Sequence, residues 1–244
     1  MKTAWILLFL FVFVPFGSAH IAWGHDFTVS GQVRTFDENG SSRRKDSSNV
    51  VIWLQPVGKN KSGRESIPSV RPKRHFELVQ ENKQFHPHVL VVPVGAVVEF
   101  PNRDVLFHSV FSMFNNKRFD LGLYEAGTEK SITFNKPGIS YIFCNIHAQM
   151  SATVITLETP YFAVSNRDGD FAISGVPAGE YAMSIWAEGA SAASLKAVER
   201  NVLVDHDLSD LGIFDLKLAT DQLAHKNKYD SSYDPPSEGS SYDQ

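Results

Sequence analysis

Ser140-Tyr-Ile-Phe-Cys-Asn-Ile-His-Ala-Gln-Met-Ser-Ala-Thr-Val-Ile-Thr-Leu157 contains two β-rich runs and a short polar connection between them. The run before Cys144 and the run after Met150 are rich in β-branched and aromatic residues, which is typical of strands. The connection carries Cys144, His147 and Met150 at C-x2-H-x2-M spacing. Because a tight loop between two strands can turn a thiol, an imidazole and a thioether toward one point, this stretch predicts β structure with part of a metal site at its turn.

Short β-rich runs separated by turn residues continue through the rest of the chain from Asp26 and predict an all-β protein. The runs at 161–165 and 170–174, joined by Asn-Arg-Asp-Gly, predict a hairpin, and 189–198 predicts a short helix or a loop. The strands predicted in this way are 27–33, 50–54, 89–92, 96–100, 130–134, 140–143, 152–157, 161–165, 170–174, 182–186 and 212–216.

A further metal ligand has to come from outside the Cys144 loop, and His108 follows a predicted strand 36 residues upstream of the cysteine. Two imidazoles, a thiolate and a weak axial thioether are the ligand set of blue copper sites. Zinc also accepts Cys and His, but a thioether favours copper. Met113 is an alternative axial ligand, and Met150 fits the loop pattern better.

The N-terminus has the features of a secretory signal peptide. Lys2 precedes an apolar run from Ala4 to Phe16, which is too short for a membrane-spanning helix, and small residues follow it. We predict a signal peptide over 1–24, cleaved after Ala19 or Gly24; an uncleaved anchor is the alternative. The mature protein is then expected in the periplasm or secreted, without stable membrane insertion.

Cysteine usage agrees with an exported metal protein. Cys144 is the one cysteine of the chain, so it forms no internal disulfide and is a buried small residue, a reactive thiol or a metal ligand.

Composition excludes some classes of function. Hydrophobic residues make up 43% of the 244 residues, enough for a substantial core, and the net charge of −4 gives no attraction for nucleic acid. Neither a G-x-S-x-G nor an H-E-x-x-H motif nor a Walker loop occurs. We therefore expect a protein that is not an enzyme and does not bind nucleic acid.

Residues 76–158 resemble the cupredoxins. Phe85-His-Pro-His-Val-Leu-Val-Val-Pro-Val-Gly-Ala-Val-Val-Glu-Phe-Pro-Asn102 is similar to their opening strands, and the Cys144 loop has the spacing seen in amicyanin. The resemblance implies a Greek-key β-sandwich with one type 1 copper, and electron exit through the second histidine. Its ligands would be His108, Cys144, His147 and Met150.

One position departs from the cupredoxin pattern. Many cupredoxins have Asn directly after the first histidine, where it braces the cysteine loop, and this chain has Ser109. A hydroxyl can donate a similar hydrogen bond, so the departure concerns the tuning of the site.

The flanking segments resemble a second family. Thr28–Val33, Val50–Leu54 and Tyr161–Tyr181 are similar to carboxypeptidase regulatory-like (transthyretin-like) β-sandwiches. The resemblance implies that 26–74, which ends in a basic loop, and 159–218 form one sandwich, with the copper domain inserted in it or packed on it. The whole arrangement resembles exported proteins labelled plastocyanin-like or methylamine-utilization proteins. The polar residues 219–244 are predicted to be disordered.

Two further features carry additional hypotheses. Either cleavage makes a histidine, His20 or His25, the first mature residue, and with His86 and His88 it would form a weak second copper site. Alternatively, His86 and His88 lie at a strand edge. The basic run 59–74 either docks an acidic redox partner or is a solvated loop.

Three functions fit these features. The first is a one-electron carrier that cycles Cu(II) and Cu(I) with an unknown redox partner protein. The second is a protein that binds and delivers copper. The third is a structural or interaction module of cupredoxin fold without a metal.

Overall fold

The computed structural model describes residues 26–58, 75–113, 116–208, 210–219 and 226–233. Over these ranges the chain forms seventeen strands and one short helix, which confirms the all-β fold class. In the same residues, no helix combines the length and apolar character that a membrane span requires. The predicted signal peptide lies outside the described residues, as does the basic run 59–74.

The strands are β1 Asp26–Phe36, β2 Val51–Pro56, β3 Phe76–Glu77, β4 Val79–Glu81, β5 Gln84–His86, β6 Val89–Pro93, β7 Ala96–Pro101, β8 His108–Ser112, β9 Phe119–Tyr124, β10 Glu129–Phe134, β11 Gly138–Cys144, β12 Ser151–Leu157, β13 Phe162–Val164, β14 Asp170–Pro177, β15 Gly179–Trp186, β16 Arg200–Val204 and β17 Ile213–Lys217. The helix α1 spans Ala192–Val198 and begins after Ser191, whose side chain accepts a hydrogen bond from the Ser194 N–H. The structure thus selects the helix over the loop for 189–198.

One hydrophobic core is built from two segments that flank residues 78–154 in the sequence. The sheet β14-β1-β17 and the sheet β13-β2-β15-β16 contribute its side chains, which come from residues 29–54 and 161–218. In β1, Val29, Val33 and Thr35 are buried, as expected when one face of a strand lies against a core. We call this the flanking core.

A second core is formed by residues 78–154. The sheets β10-β7-β3 and β6-β12-β11-β8-β9 contribute its side chains, and Cys144 and Met150 belong to it. We call it the ligand core because the predicted ligands lie at its edge.

One sheet lies between the flanking core and a further cluster of buried residues that includes strands of the ligand-core sheet. Ile52 and Leu54 of β2 belong to the flanking core, whereas Val51 packs on the opposite side with Trp186, Val89 and residues of β12. The sheet that contains β2 is therefore covered on both faces. This explains why Val50–Leu54 has an almost continuous apolar sequence, which predicts a buried strand.

The predicted hairpin over 161–174 is wrong. β13 pairs with β2 in one sheet, and β14 pairs with β1 in the other. The Asn-Arg-Asp-Gly turn does form, with the Gly169 N–H donating to the Asn166 carbonyl, but it carries the chain across the flanking core. A local turn sequence does not determine which sheet receives the second strand.

We expect Gly169→Ala to destabilise the protein much more than Gly175→Ala. Both glycines have positive φ, 90° and 73°, which costs a non-glycine residue about 1 kcal/mol. A Cβ at Gly169 would lie 1.8 Å from the Val33 carbonyl oxygen, whereas at Gly175 it meets open space. Urea unfolding monitored by fluorescence should show a loss of more than about 2 kcal/mol for the first variant alone. Equal losses would contradict the close approach of this turn to β1.

Candidate metal centre

The pairing of β8 with β11 brings His108 next to Cys144. Val110 lies opposite Cys144 in the antiparallel register, and the Asn145 N–H donates to the Ser109 carbonyl at 2.8 Å. Both His108 and Cys144 are fully buried. The His108 Nδ1 atom lies 3.7 Å from the Cys144 Sγ atom.

The loop from Cys144 to Met150 is closed by its own main chain. The Cys144 N–H donates to the Met150 carbonyl at 3.1 Å, and the Met150 N–H donates to the His147 carbonyl at 3.0 Å. This folding brings the His147 Nδ1 atom to 3.6 Å from the Cys144 Sγ atom. The two imidazole rings lie 4.9 Å apart at 62°, so both histidines face the sulfur from different directions.

The separations between these atoms fit a shared metal ion. An ion about 2.3 Å from a thiolate and about 2.0–2.1 Å from an imidazole nitrogen holds the two atoms about 3.5–3.8 Å apart at tetrahedral to trigonal angles. The observed 3.6 and 3.7 Å fall within that range. His108, Cys144 and His147 are also one of two groups in the described residues that gather three potential ligand atoms within 4.8 Å of one another.

Met150 is better placed than Met113 to complete the set. Met150 is fully buried in the ligand core beside Cys144, and its main chain is bonded to both loop ligands. Met113 is 43% exposed and follows the end of β8. The role of Met150 as a ligand stays a prediction, since burial alone does not fix the direction of its thioether.

The environment of Cys144 acts on its thiol in opposite ways. Burial raises the pKa of the Cys144 thiol, and the backbone N–H groups of Ser109, Ile146 and His147 lower it by stabilising the thiolate. Burial dominates, so the metal-free side chain is held as a thiol. A cation that binds here therefore has to displace that proton.

Ser109 replaces the expected Asn without leaving the loop unbraced. Ser109 is buried. Its main-chain carbonyl accepts a hydrogen bond from the Asn145 N–H, and this bond ties β8 to the cysteine loop. A main-chain bond of this kind is independent of the side chain at this position. The sequence departure therefore does not remove the link between the first histidine and the cysteine loop.

Asp104 is a residue of the candidate site that sequence reasoning missed. Its Oδ2 atom lies 2.7 Å from the His108 Nε2 atom, and the Asp104 side chain is only 11% exposed. Because a carboxylate accepts the hydrogen bond, Nε2 carries the proton and Nδ1 presents its lone pair toward Cys144. A carboxylate behind a histidine in this way fixes the tautomer and ring orientation needed in a metal site.

A tight turn holds Asp104 in place. Asn82 and Lys83 both have positive φ, 54° and 56°, as in the two-residue turn that joins β4 to β5. Their N–H groups donate to the two Asp104 oxygens at 2.6 and 2.9 Å. The carboxylate thus receives two main-chain hydrogen bonds besides the one from His108.

These contacts set the charges of the pair. Burial raises the pKa of Asp104, but the hydrogen bonds from Lys83, His108 and Asn82 outweigh it and leave the pKa below its usual value. Burial lowers the pKa of His108 and outweighs the raising effect of Asp104. His108 is therefore a neutral imidazole beside a carboxylate at neutral pH, which is the state that binds a metal.

The C-terminal region differs from the expectation of a disordered tail over 219–244. Residues 226–233 lie against the Cys144 loop, where the Tyr233 hydroxyl donates to the Cys144 carbonyl at 2.8 Å. The Ser- and Asp-rich composition of this segment predicts disorder, because composition carries no information about a single specific contact of this kind. The remaining part of the tail, apart from Ala219, lies outside the described residues.

The hypothesis of a second copper site gains no support from the described residues. His86 and His88 are in neither group of three potential ligands, and the His88 Nε2 atom is paired with Glu188 at 2.5 Å. His20 and His25 lie outside the described residues. Thr35, near the end of β1, lines a cavity with His88, whereas Asp26 lies at the start of the same strand. The part of β1 that lies near His88 is therefore its end and not its start.

The other group of three potential ligands is His75, Glu77 and Glu99 at the surface. His75 is paired with both carboxylates, and Arg103 pairs with Glu77 at 2.9 Å. These charges already have protein partners.

Comparison with known proteins gives partial structural similarities only. No protein-family profile matches the chain, and no curated protein does. A purple cupredoxin from Nitrosopumilus maritimus is 21% identical over 33% of this chain and 96% of its own, with a TM-score of 0.30. An oxidised amicyanin mutant is 18% identical over 36% and 88% of the two chains, with a TM-score of 0.33.

A copper-containing nitrite reductase from Thermus scotoductus is 27% identical over 43% of this chain and 25% of its own, with a TM-score of 0.34. Because all three TM-scores are low, we base the assignment of the site on the geometry of this chain's own residues.

We expect Asp104→Asn to remove part of the pH dependence of folding. Since the pKa of Asp104 is lower in the folded state, its stabilising effect is fully present above the unfolded pKa of about 3.9 and is lost as the pH falls through the lower folded pKa. The metal-free variant should lose about 2 kcal/mol at pH 7 and progressively less as the pH falls below about 3.9. Urea unfolding at several pH values measures both.

The matched control is Asp168→Asn, which changes an exposed carboxyl in a turn of the flanking core. It should follow the unmodified protein across the pH range. If Asp104→Asn gave parallel curves with a constant offset, the carboxylate would not be the group that titrates.

Proposed function

We propose that this chain is a blue-type copper protein that carries one electron at a time between partner proteins. The observation that carries the proposal is the convergence of two imidazole Nδ1 atoms on one buried cysteine sulfur, with a buried methionine closing the same loop. Copper, when bound, supplies the Cu(II)/Cu(I) couple. Two imidazoles, a thiolate and a weak thioether suit that couple better than they suit zinc.

The residues divide the work between them. Cys144 gives up its thiol proton to bind, so the affinity should fall as the pH is lowered. His108 is buried and held by Asp104, whereas His147 is half-buried, and of the four proposed ligand residues it is the one with access to solvent. We propose His147 as the route by which electrons enter and leave.

Constraint of the ligands favours a carrier over a delivery protein. His108 is held by Asp104, and the main chain ties the Cys144 loop to Ser109 and closes it on itself. Side chains fixed in this way rearrange little when the charge of a bound ion changes, which favours fast electron exchange. A delivery protein needs ligands that release the ion readily.

The setting of the protein follows from the same proposal. We propose an exported, periplasmic or secreted protein whose partners are redox proteins, and we propose no catalytic activity and no binding of nucleic acid. The predicted signal peptide and the basic run 59–74 are the sequence features behind these proposals.

The direct test is to add Cu(II) to the mature protein and record visible absorption and EPR spectra beside Cys144→Ser. We expect an intense thiolate-to-copper band and narrow hyperfine splitting at one copper per chain, both absent in the variant, because they require a sulfur–copper bond. A colourless protein, or a spectrum that is unchanged in Cys144→Ser, would contradict the proposal. Rapid transfer of copper to a chelator would favour the delivery function.

The axial ligand is tested by Met150→Leu beside Met113→Leu. Leucine conserves volume in the core, at a cost below about 1.5 kcal/mol. Loss of a thioether donor should raise the reduction potential, because electron donation stabilises Cu(II), while the blue band is kept. Potentiometry should show no change for Met113→Leu, and an effect confined to that variant would move the axial role to Met113.

A further inference from the structure

The last described segment of the chain, Lys226–Tyr233, contacts the ligand loop at the cysteine itself. We call it the C-terminal strap. The Tyr233 hydroxyl donates a 2.8 Å hydrogen bond to the carbonyl oxygen of Cys144, and the Tyr233 side chain is half-buried. The residue that carries the thiol is therefore bonded through its main chain to a side chain 89 positions further along.

Two more contacts fix the strap beside Tyr233. The Lys228 N–H donates to the Asn145 Oδ1 atom at 2.9 Å, so the strap holds the next loop residue as well. The Lys228 Nζ atom pairs with the Asp120 Oδ2 atom of β9 at 2.8 Å, and the Lys228 side chain is only 17% exposed. The strap is thus attached both to the ligand loop and to the sheet that carries β8.

The strap has a folded shape of its own. The Asn227 Oδ1 atom accepts hydrogen bonds from the N–H groups of Tyr229 and Ser231, and the Asp230 N–H donates to the Asn227 carbonyl. Lys226 and Asp230 form an ion pair across the same turn. A segment ordered by its own hydrogen bonds loses less conformational entropy when it docks.

We propose that the C-terminal strap is a positioning element of the metal centre and that Tyr233 is the residue through which it acts. By holding the Cys144 carbonyl and the Asn145 side chain, it keeps the loop closed over the sulfur. Local opening of the loop, which would expose Cys144 and release a bound metal, then requires the Tyr233 bond to break first. The part that concerns copper rests on the proposed function, whereas closure of the loop applies to the metal-free protein as well.

The test uses the full chain with Tyr233→Phe, beside Tyr229→Phe as the matched control. Tyr229 is in the same segment and is 73% exposed. Its variant removes a hydroxyl without touching the Cys144 carbonyl, and it keeps the aromatic ring, whose centroid lies 5.3 Å from the Lys228 Nζ atom. In the metal-free proteins we would measure hydrogen exchange of the amides of 145–150 and the rate of Cys144 alkylation by iodoacetamide. Cys144 is fully buried, so alkylation reports opening.

We expect Tyr233→Phe to raise both rates about fivefold, the effect of losing one hydrogen bond from a local opening equilibrium. Amides of β1 and β15 in the flanking core should exchange as before, which distinguishes local opening from general destabilisation. Lys228→Met, which keeps the aliphatic stem and removes the ion pair with Asp120, should raise the rates in the same direction. The copper-loaded Tyr233→Phe protein should lose copper to a chelator correspondingly faster.

The outcomes separate the two proposals. If Tyr233→Phe matches Tyr229→Phe in exchange and alkylation of the metal-free protein, the strap is not a positioning element. An equal rise in β1 and β15 would also overturn the proposal, because the tyrosine would then support the fold as a whole. If the loop opens as expected but the unmodified protein gives no blue copper spectrum, the proposed function fails and the strap proposal stands.

Discussion

Two residue pairs between β8 and β11 are the constraint on which the metal centre depends. Val110 opposite Cys144 and Phe111 opposite Phe143 set the register that places His108, 36 residues before the cysteine, at 3.7 Å from its sulfur. The folding of the ligand core meets the entropic cost of closing that long loop. A metal ion then meets ligands that are already gathered, and its binding energy need not order them.

The supports of the ligands come from different parts of the molecule. The turn between β4 and β5 holds Asp104, which in turn orients His108. Main-chain hydrogen bonds fix the loop of Cys144, His147 and Met150, and the C-terminal strap adds a contact from outside the sheet. Because these supports come from separate elements, the loss of one leaves the others in place, which suits a site that must keep its shape.

The sequence predicts the ligands far better than their supports. His108, Cys144 and His147 could be predicted because metal ligation demands particular residue types at close spacing, and the structure brings these three together. Asp104 gives no comparable signal, since an Asp in a polar turn is common. Asp104 becomes recognisable only once the segment between β7 and β8 is known to fold back on His108. The contact of Tyr233 could not be predicted either, because the Ser- and Asp-rich sequence around it resembles that of disordered segments.

The strands show the same division. Alternation or strong β propensity predicts β6, β7, β10, β11 and β12, whereas β8 has the sequence His-Ser-Val-Phe-Ser and is buried at every position. His108 lies inside as a candidate ligand beside Cys144, and no periodicity reports that. The failure at 161–174 has a related cause, since the choice between two sheets is made by tertiary packing of β13 and β14.

The flanking core determines which part of the ligand core faces solvent. Its sheet covers Val89, Val91 and Ile155 with Val51 and Trp186, so that side of the β6-β12-β11 sheet is buried within the molecule. Exposed apolar side chains occur instead close to the ligands along the chain, with Val105 and Phe107 before His108 and Ile146 beside His147. Exposed apolar groups that form one contiguous patch are typical of surfaces that bind other proteins. Under the proposed function, a redox partner would therefore dock at the ligand end, where His147 is the ligand nearest to solvent and the distance for electron transfer is shortest.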